Sequence, residues 1–146
     1  FDEVIGVNLK SAVLLTSQLL KHNKIKPNSS MVYISSISSN FPYLGGGLYV
    51  TSKGGLESFV KTLALEHHKT LRANIISPGL VKTDIFETTM EATGEEELKQ
   101  YEKKYPLGFG STADIANAVG FLVSDRSKWI TGENLIMDGG LTIGSK

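Results

Sequence analysis

The chain has 146 residues, enough for one domain and too few for two of ordinary size. Fifteen basic residues balance fifteen acidic ones, which argues against binding nucleic acid or an anionic membrane through bulk charge. With no cysteine, a disulfide scaffold and cysteine-ligated zinc are excluded, and no apolar run reaches the roughly 18–20 residues needed to span a bilayer. The opening Phe1-Asp2-Glu3-Val4 is not a secretory signal, so a cytoplasmic protein is expected. It also has no initiator Met, as expected of a chain that begins partway through something larger.

In chain order, residues 2–22 predict a helix, with Val4, Val7, Ala12, Leu15 and Leu19 at helical spacing and Leu9, Val13, Leu14 and Leu20 widening the apolar sector. Met31-Val32-Tyr33-Ile34 reads as a strand covered on both faces. Residues 35–48, rich in Ser, Gly and Pro, read as a loop. A second helix fits 49–68, with Leu56, Phe59, Val60, Leu63, Ala64 and His67 on one stripe. Ala73-Asn74-Ile75-Ile76 is a second buried strand, stopped by Ser77-Pro78-Gly79. Residues 80–111 are the least regular, apart from a solvated helix from Glu95 to Lys104. A further helix fits 112–124, capped by Ser111 or Thr112 with Asp114 in its first turn, and Leu135-Ile136-Met137 is a third strand. Helices alternating with strands predict a parallel sheet with helices on both faces. Three strands are few for such a sheet, so the pattern is that of part of an α/β domain.

The chemistry concentrates between Ser36 and Lys53. Tyr49 and Lys53 stand four apart at the start of the second helix and share one face, while Ser36 follows a strand end. Strand ends and helix starts meet along the C-terminal edge of a parallel sheet, where such folds bind ligands. Tyrosine, with a reference pKa near 10, is a poor base at neutral pH. An ammonium about 4 Å away would favour phenolate by roughly 4 kcal/mol, or about 3 pKa units, at an effective dielectric near 20. That would bring the phenol toward the working pH of a general acid/base, with the serine hydroxyl holding the substrate oxygen beside it. Each feature alone is commonplace: a Tyr and a Lys four apart, or Ser-Ser after a strand, occur in many chains.

Their combination resembles the C-terminal part of a short-chain dehydrogenase/reductase, in the single-domain branch, and the likeness runs over nearly all of residues 1–146. Asn8 stands 28 residues before Ser36, where the family has its active-site asparagine. Ser36, Tyr49 and Lys53 match the family's serine and Tyr-x-x-x-Lys motif. Asn74 to Thr83 matches its Pro-Gly segment, and Ile130 to Gly140 its closing strand. The resemblance implies a Rossmann-like doubly wound parallel sheet, with this chain as the C-terminal catalytic part of one NAD(P)-binding domain. It implies an oxidoreductase interconverting a carbonyl and a secondary alcohol by hydride transfer, similar to 3-oxoacyl-acyl-carrier-protein reductases and to sugar or polyol dehydrogenases.

By that resemblance Tyr49 would be the acid/base and would also touch the cofactor, and Lys53 would lower the Tyr49 pKa and hold the nicotinamide ribose. Ser36 would orient the carbonyl, and Asn8 would hold a proton-relaying water. Pro78, Gly79, Val81 and Thr83 would lie against the cofactor, Thr83 reading equally well as a helix N-cap before Asp84. NAD and NADP both remain open. The family's Gly-rich turn is not in this sequence, and Gly108-Phe109-Gly110-Ser111-Thr112-Ala113 is not a substitute, because no strand precedes it. A partial domain should leave an apolar sheet edge and helix faces exposed.

Two other readings stand beside this one: an extended-branch epimerase or dehydratase, which shares Tyr-x-x-x-Lys, and a non-catalytic, oligomer-forming relative. No G-x-S-x-G elbow supports a serine hydrolase, and His67-His68 lacks the spacing of a zinc protease, so no metal is expected. Residues 83–107 are expected to form the lid and substrate pocket, with Ile85, Phe86, Met90, Tyr101, Tyr105 and Leu107 as its apolar lining and Phe41, Pro42, Tyr43 and Leu44 facing the same cleft. Expected partners are a small carbonyl or alcohol substrate and further copies of the chain, as a homodimer or homotetramer built on the two long helices, with neither nucleic acid nor membrane.

Overall fold

The computed structural model describes residues 1–84, 86 and 94–143. Its first helical stretch consists of α1 (Asp2–Ile5), a π-helical segment (Gly6–Lys10) and α2 (Ser11–Lys21). β1 (Ser29–Ile34) leads through a 3-10 turn (Ile37–Ser39) to α3 (Gly47–Glu66) and β2 (Leu71–Pro78). β3 (Val81–Lys82), α4 (Glu95–Glu102), β4 (Gly110–Ser111), α5 (Thr112–Val123) and β5 (Asn134–Met137) complete the order. Ile85 and Met90 lie outside the described residues.

β1, β2 and β5 form a parallel sheet in that order, Ser29 pairing with Leu71 and Pro78 with Met137. The central strand β2 shows why two layers of helix are required, because successive side chains of a strand point to opposite faces. Leu71, Ala73 and Ile75 face one side and pack with Leu56, Val60, Leu63 and Ala64 of α3. Arg72 and Asn74 face the other. Arg72 donates to the carbonyls of Leu122 and Ser124 at the end of α5 and to that of Ile130, at 3.1–3.2 Å. Asn74 donates to the Ile130 carbonyl and accepts from the Glu133 amide. An apolar stripe covers one face, and side chains that satisfy helix-end and loop carbonyls cover the other. The expected Rossmann-like parallel α/β sheet is therefore present, and the predicted helices and strands stand within a few residues of their expected bounds.

Two expectations are corrected. The apolar stripe predicted for the first helix is only partly the buried one: Val7 and Leu15 are exposed, while Ala12 of that stripe, with Leu9 and Leu20 of the wider apolar sector, packs against the core and Thr16 is buried. The π segment explains this. An i→i+5 turn holds one extra residue and rotates everything after it by about 100° relative to a continuous α-helix. The irregular 80–111 region contains a parallel β3–β4 pair, Val81 with Gly110 and Lys82 with Ser111, that no alternation in so short a segment announces. At α5 the expected cap is present as a capping box, with Ser111 Oγ accepting from the Asp114 amide and the Asp114 carboxylate accepting from the Ser111 amide at 2.7 Å. Asp114 thus puts a negative charge at this helix start, and the G-x-G-x-x-A stretch is no phosphate cradle.

The expected exposure of apolar surface is also found: Ile34, at the C-terminal end of the outer strand β1, Leu14 on α2, and Leu135 and Ile136 on β5 are all exposed. After β5 the chain turns at Asp138, whose carboxylate accepts from the amides of Gly140 (2.9 Å) and Thr142 (2.8 Å). Burial pushes this carboxyl up, but the Thr142 side chain first, and then the Thr142 and Gly140 amides, outweigh it and hold it below the usual range. Stability from this group is present above the ordinary aspartate pKa and lost as pH falls through the depressed one. Asp138→Asn keeps only one acceptor oxygen and is expected to cost about 1–2 kcal/mol, read by denaturant unfolding at neutral pH. The difference from the parent should shrink in acid.

Candidate functional site

Three strand ends and the start of α3 converge at the C-terminal edge of the sheet. There Tyr49 and Lys53 sit one turn apart on α3, both half-buried. The Lys53 Nζ donates to the carbonyl of Ile34 at the end of β1, at 3.0 Å. It lies 5.8 Å from the centroid of the Tyr49 ring, within the range of a cation–π contact. The ammonium therefore reaches the tyrosine over its ring, with no hydrogen bond between Lys53 Nζ and the Tyr49 hydroxyl. Burial holds the Lys53 ammonium below the usual lysine range. One of its three N–H donors is engaged, which leaves two.

Ser36 is buried in extended backbone (φ −159°) directly after β1, and its Oγ caps the 3-10 turn by accepting from the Ser38 amide at 3.2 Å and contacts Ser38 Oγ at 3.1 Å. Among the described residues the Tyr49 hydroxyl has no hydrogen-bond partner, so Ser36 and Tyr49 are not bonded to each other. Asn8 falls within the π segment, and its Nδ2 donates to Ser52 Oγ at 3.1 Å; Ser52 precedes Lys53. The bulged turn thus joins the first helical stretch to the Tyr-Lys face of α3. Single-turn π-bulges recur at functional sites.

Pro78 ends β2, and Gly79 donates its amide to Met137 at 2.9 Å. A Cβ on Gly79 would come within about 3.0 Å of the Asp138 backbone and the Tyr105 ring, so a side chain there would require one of these neighbours to shift. The Leu80 amide donates to the Tyr105 hydroxyl at 3.3 Å. Val81 belongs to β3 and lines a cavity of about 450 Å³ together with Leu80, Phe109, Ile136 and Gly139. Tyr49, Lys53 and Ser36 are not part of that lining. Thr83 accepts from the Phe86 amide through both its carbonyl (2.9 Å) and its Oγ1 (3.4 Å), which is the cap geometry. The structure thus gathers Asn8, Ser36, Tyr49, Lys53 and the Pro78–Gly79 turn along one edge, with Val81 and Thr83 on the flanking β3 strand and turn.

Of the expected lid residues, Phe86 and Tyr105 are buried, Tyr101 is partly exposed and Leu107 is exposed. Phe86, Tyr101 and Tyr105 each stack on Phe109, at centroid distances of 5.0–6.2 Å. Burial, then the neighbouring Tyr101, push the Tyr105 phenol above its usual value. No group of three metal-ligating side chains occurs among the described residues.

One residue escaped the sequence reading. Glu57, a further turn beyond Lys53, is buried and accepts from Ser35 Oγ (2.8 Å), Ser77 Oγ (3.2 Å), Asn40 Nδ2 (3.4 Å) and Ser39 Oγ. The available signal was a carboxylate inside an apolar stripe at the spacing 49, 53, 57.

The sequence model of the family described as Enoyl-(Acyl carrier protein) reductase matches residues 1–142. Glucose 1-dehydrogenase 2 of Bacillus subtilis is 35% identical over 148 residues, covering 98% of this chain and 55% of that protein. The 3-oxoacyl-acyl-carrier-protein reductase FabG of Aquifex aeolicus is 37% identical over 144 residues, with 97% and 56% covered. The structure of 4-hydroxyisoleucine dehydrogenase complexed with NADH superposes with a TM-score of 0.87 at 30% identity, over 96% of this chain and 58% of that one. The chain therefore spans little more than half the length of these relatives. Its sheet, its Asn8–Ser36–Tyr49–Lys53 edge and its likeness over nearly every residue place it, as the C-terminal portion of the fold, in the short-chain dehydrogenase/reductase family.

Proposed function

We propose that the protein carrying this chain is an NAD(P)-dependent oxidoreductase that interconverts a carbonyl and a secondary alcohol, with Tyr49 as its acid/base. The observation that carries the reading is the Lys53 ammonium, tethered to the Ile34 carbonyl at 3.0 Å and lying against the Tyr49 ring two residues from Ser36 in the β1 end. A lysine so anchored stays beside the tyrosine whatever the substrate does, where its ammonium can assist proton transfer at the hydroxyl.

The residues present fit a nicotinamide nucleotide: among the described residues two N–H donors of Lys53 remain for ribose hydroxyls, and the Pro78–Gly79 turn ends β2 at the same edge. When bound, the cofactor supplies or accepts the hydride. Tyr49 gives its hydroxyl proton to the carbonyl oxygen in reduction and takes it back in oxidation. Ser36 orients that oxygen by hydrogen bonding, and Asn8, whose amide is held on Ser52 beside Lys53 in sequence, holds the water that relays protons toward Lys53. The NADH bound by 4-hydroxyisoleucine dehydrogenase supports a nicotinamide cofactor. The reading extends to a homodimer or homotetramer, in which a second copy would cover exposed Val7, Leu15 and Leu65.

The test is turnover by the whole protein. NADH or NADPH with ethyl acetoacetate, or NAD⁺ or NADP⁺ with D-glucose, is expected to change the reduced-nicotinamide absorbance. Failure of all four nucleotides to bind, measured by calorimetry, would sink the reading and leave the non-catalytic alternative.

A further inference from the structure

We propose that Glu57 is the positioning residue for Ser36, a role that rests on the reading of Ser36 as the group that orients the substrate oxygen. Glu57 continues the stripe of Tyr49 and Lys53 down α3, since residues four apart share a helix face. Tyr49 and Lys53 are half-buried; Glu57 is almost wholly buried, at 6% exposure. A carboxylate there is costly without donors. It has four: three come from both sides of Ser36 and the fourth from β2. Ser35, the residue before, donates to it at 2.8 Å. Ser39, three residues after, has its Oγ within hydrogen-bond distance of both the Glu57 carboxylate and the Ser36 carbonyl (2.7 Å), so its single proton is shared between two acceptors and the hydroxyl sits between Glu57 and Ser36 itself. Asn40 donates to the other carboxylate oxygen. Ser77, fully buried at the end of β2, donates at 3.2 Å and has no other side-chain hydrogen bond among the described residues.

A loop rich in serine has little packing of its own to fix it. Here the segment bearing Ser36 is tied at two flanks to the helix that bears Tyr49 and Lys53, and that helix is tied to the strand leading to Pro78–Gly79. Ser36 and Tyr49 make no direct hydrogen bond among the described residues, so their separation is set indirectly, by this carboxylate on the Ser35–Asn40 side together with the Lys53–Ile34 and Ser35–Lys53 carbonyl contacts at the β1 end. An error of about 1 Å in the placement of a reacting group can cost a hundredfold in rate.

The experiment uses the whole protein, with whichever of ethyl acetoacetate or D-glucose it turns over. Glu57→Leu is expected to lower kcat by about 10- to 100-fold while the affinity for the nicotinamide nucleotide moves less than about twofold. Glu57→Gln keeps an acceptor oxygen for the serines and is expected to stay within about fivefold of the parent. In a Ser36→Ala background, Glu57→Leu is expected to add less than about a twofold loss, since residues acting as one unit are not additive. Amide hydrogen exchange over residues 35–40 is expected to quicken in Glu57→Leu and in the milder Ser39→Ala, which serves if the leucine variant does not fold. The same factor lost with and without Ser36, or unchanged exchange over 35–40, overturns the proposal while leaving the oxidoreductase reading intact. If Ser36→Ala itself keeps full turnover, the role of Ser36 falls and this proposal falls with it.

Discussion

Tyr49→Phe is expected to lower kcat for carbonyl reduction by about a thousandfold, the scale of a lost general acid in a positioned site. The substitution deletes one oxygen. The ring keeps its place over the Lys53 ammonium, 5.8 Å from the centroid, and its neighbours on α3 keep their packing. The hydroxyl has no hydrogen-bond partner among the described residues, so its removal leaves no internal group orphaned and the stability should change by less than about 0.5 kcal/mol. Nucleotide affinity should hold, because the proposed ribose donors are on Lys53. The separation of effects is the diagnostic: kcat collapses while the thermal midpoint and the nucleotide dissociation constant stay put. A variant that turns over ethyl acetoacetate or D-glucose near the parental rate would show that the proton comes from elsewhere.

Lys53→Met should be nearly as damaging and should move two quantities at once. It removes the charge beside Tyr49 and the donors offered to the ribose, so kcat is expected to fall by about a hundredfold or more and the nucleotide KM to rise. The Ile34 carbonyl it releases is at an exposed strand end, where water replaces the lost donor. Lysine titration adds a pH signature. Burial lowers the Lys53 pKa below the usual 10.5. Between the lowered value and 10.5 the unfolded chain binds more protons than the folded one, so the contribution of this group to stability rises with pH across that window. Activity runs the other way, since the ammonium is the working form. The rate should therefore fall on an alkaline limb whose midpoint lies below 10.5, and Lys53→Arg, which cannot lose its charge there, should flatten that limb. An alkaline limb that persists unchanged in the arginine variant would assign it to another group.

The parts of the site that the sequence announced are those set by local rules. Tyr49 and Lys53 share a face because a helix returns every four residues, and the run from Leu56 to Ala64 is apolar enough to require that helix. Ser36 and Pro78–Gly79 stand at strand ends because β-rich runs stop at Ser, Pro and Gly. Ser111 and Asp114 spell a cap in the letters themselves. The π segment at Gly6–Lys10 has no such spelling. An inserted residue in a helical turn is paid for by tertiary contacts, here Asn8 on Ser52, and it rotated the buried stripe away from Val7 and Leu15. The β3–β4 pair, two residues on each side, is too short for any alternation to register.

Glu57 shows the same boundary from the other side. Read alone, a glutamate in a helix is a solvated charge, and only the return of Ser35, Ser39, Asn40 and Ser77 from three segments turns it into a hub. The sequence by itself determined the α/β alternation, the helix that carries Tyr49 and Lys53, and the strand ends that present Ser36 and Gly79, because periodicity and turn chemistry act over a few neighbouring residues. Tertiary structure alone decided where the Lys53 ammonium points, which face of the first helix is buried and what the Glu57 carboxylate holds. Each of those depends on donors and acceptors many residues apart, and a linear pattern carries no record of distance in space.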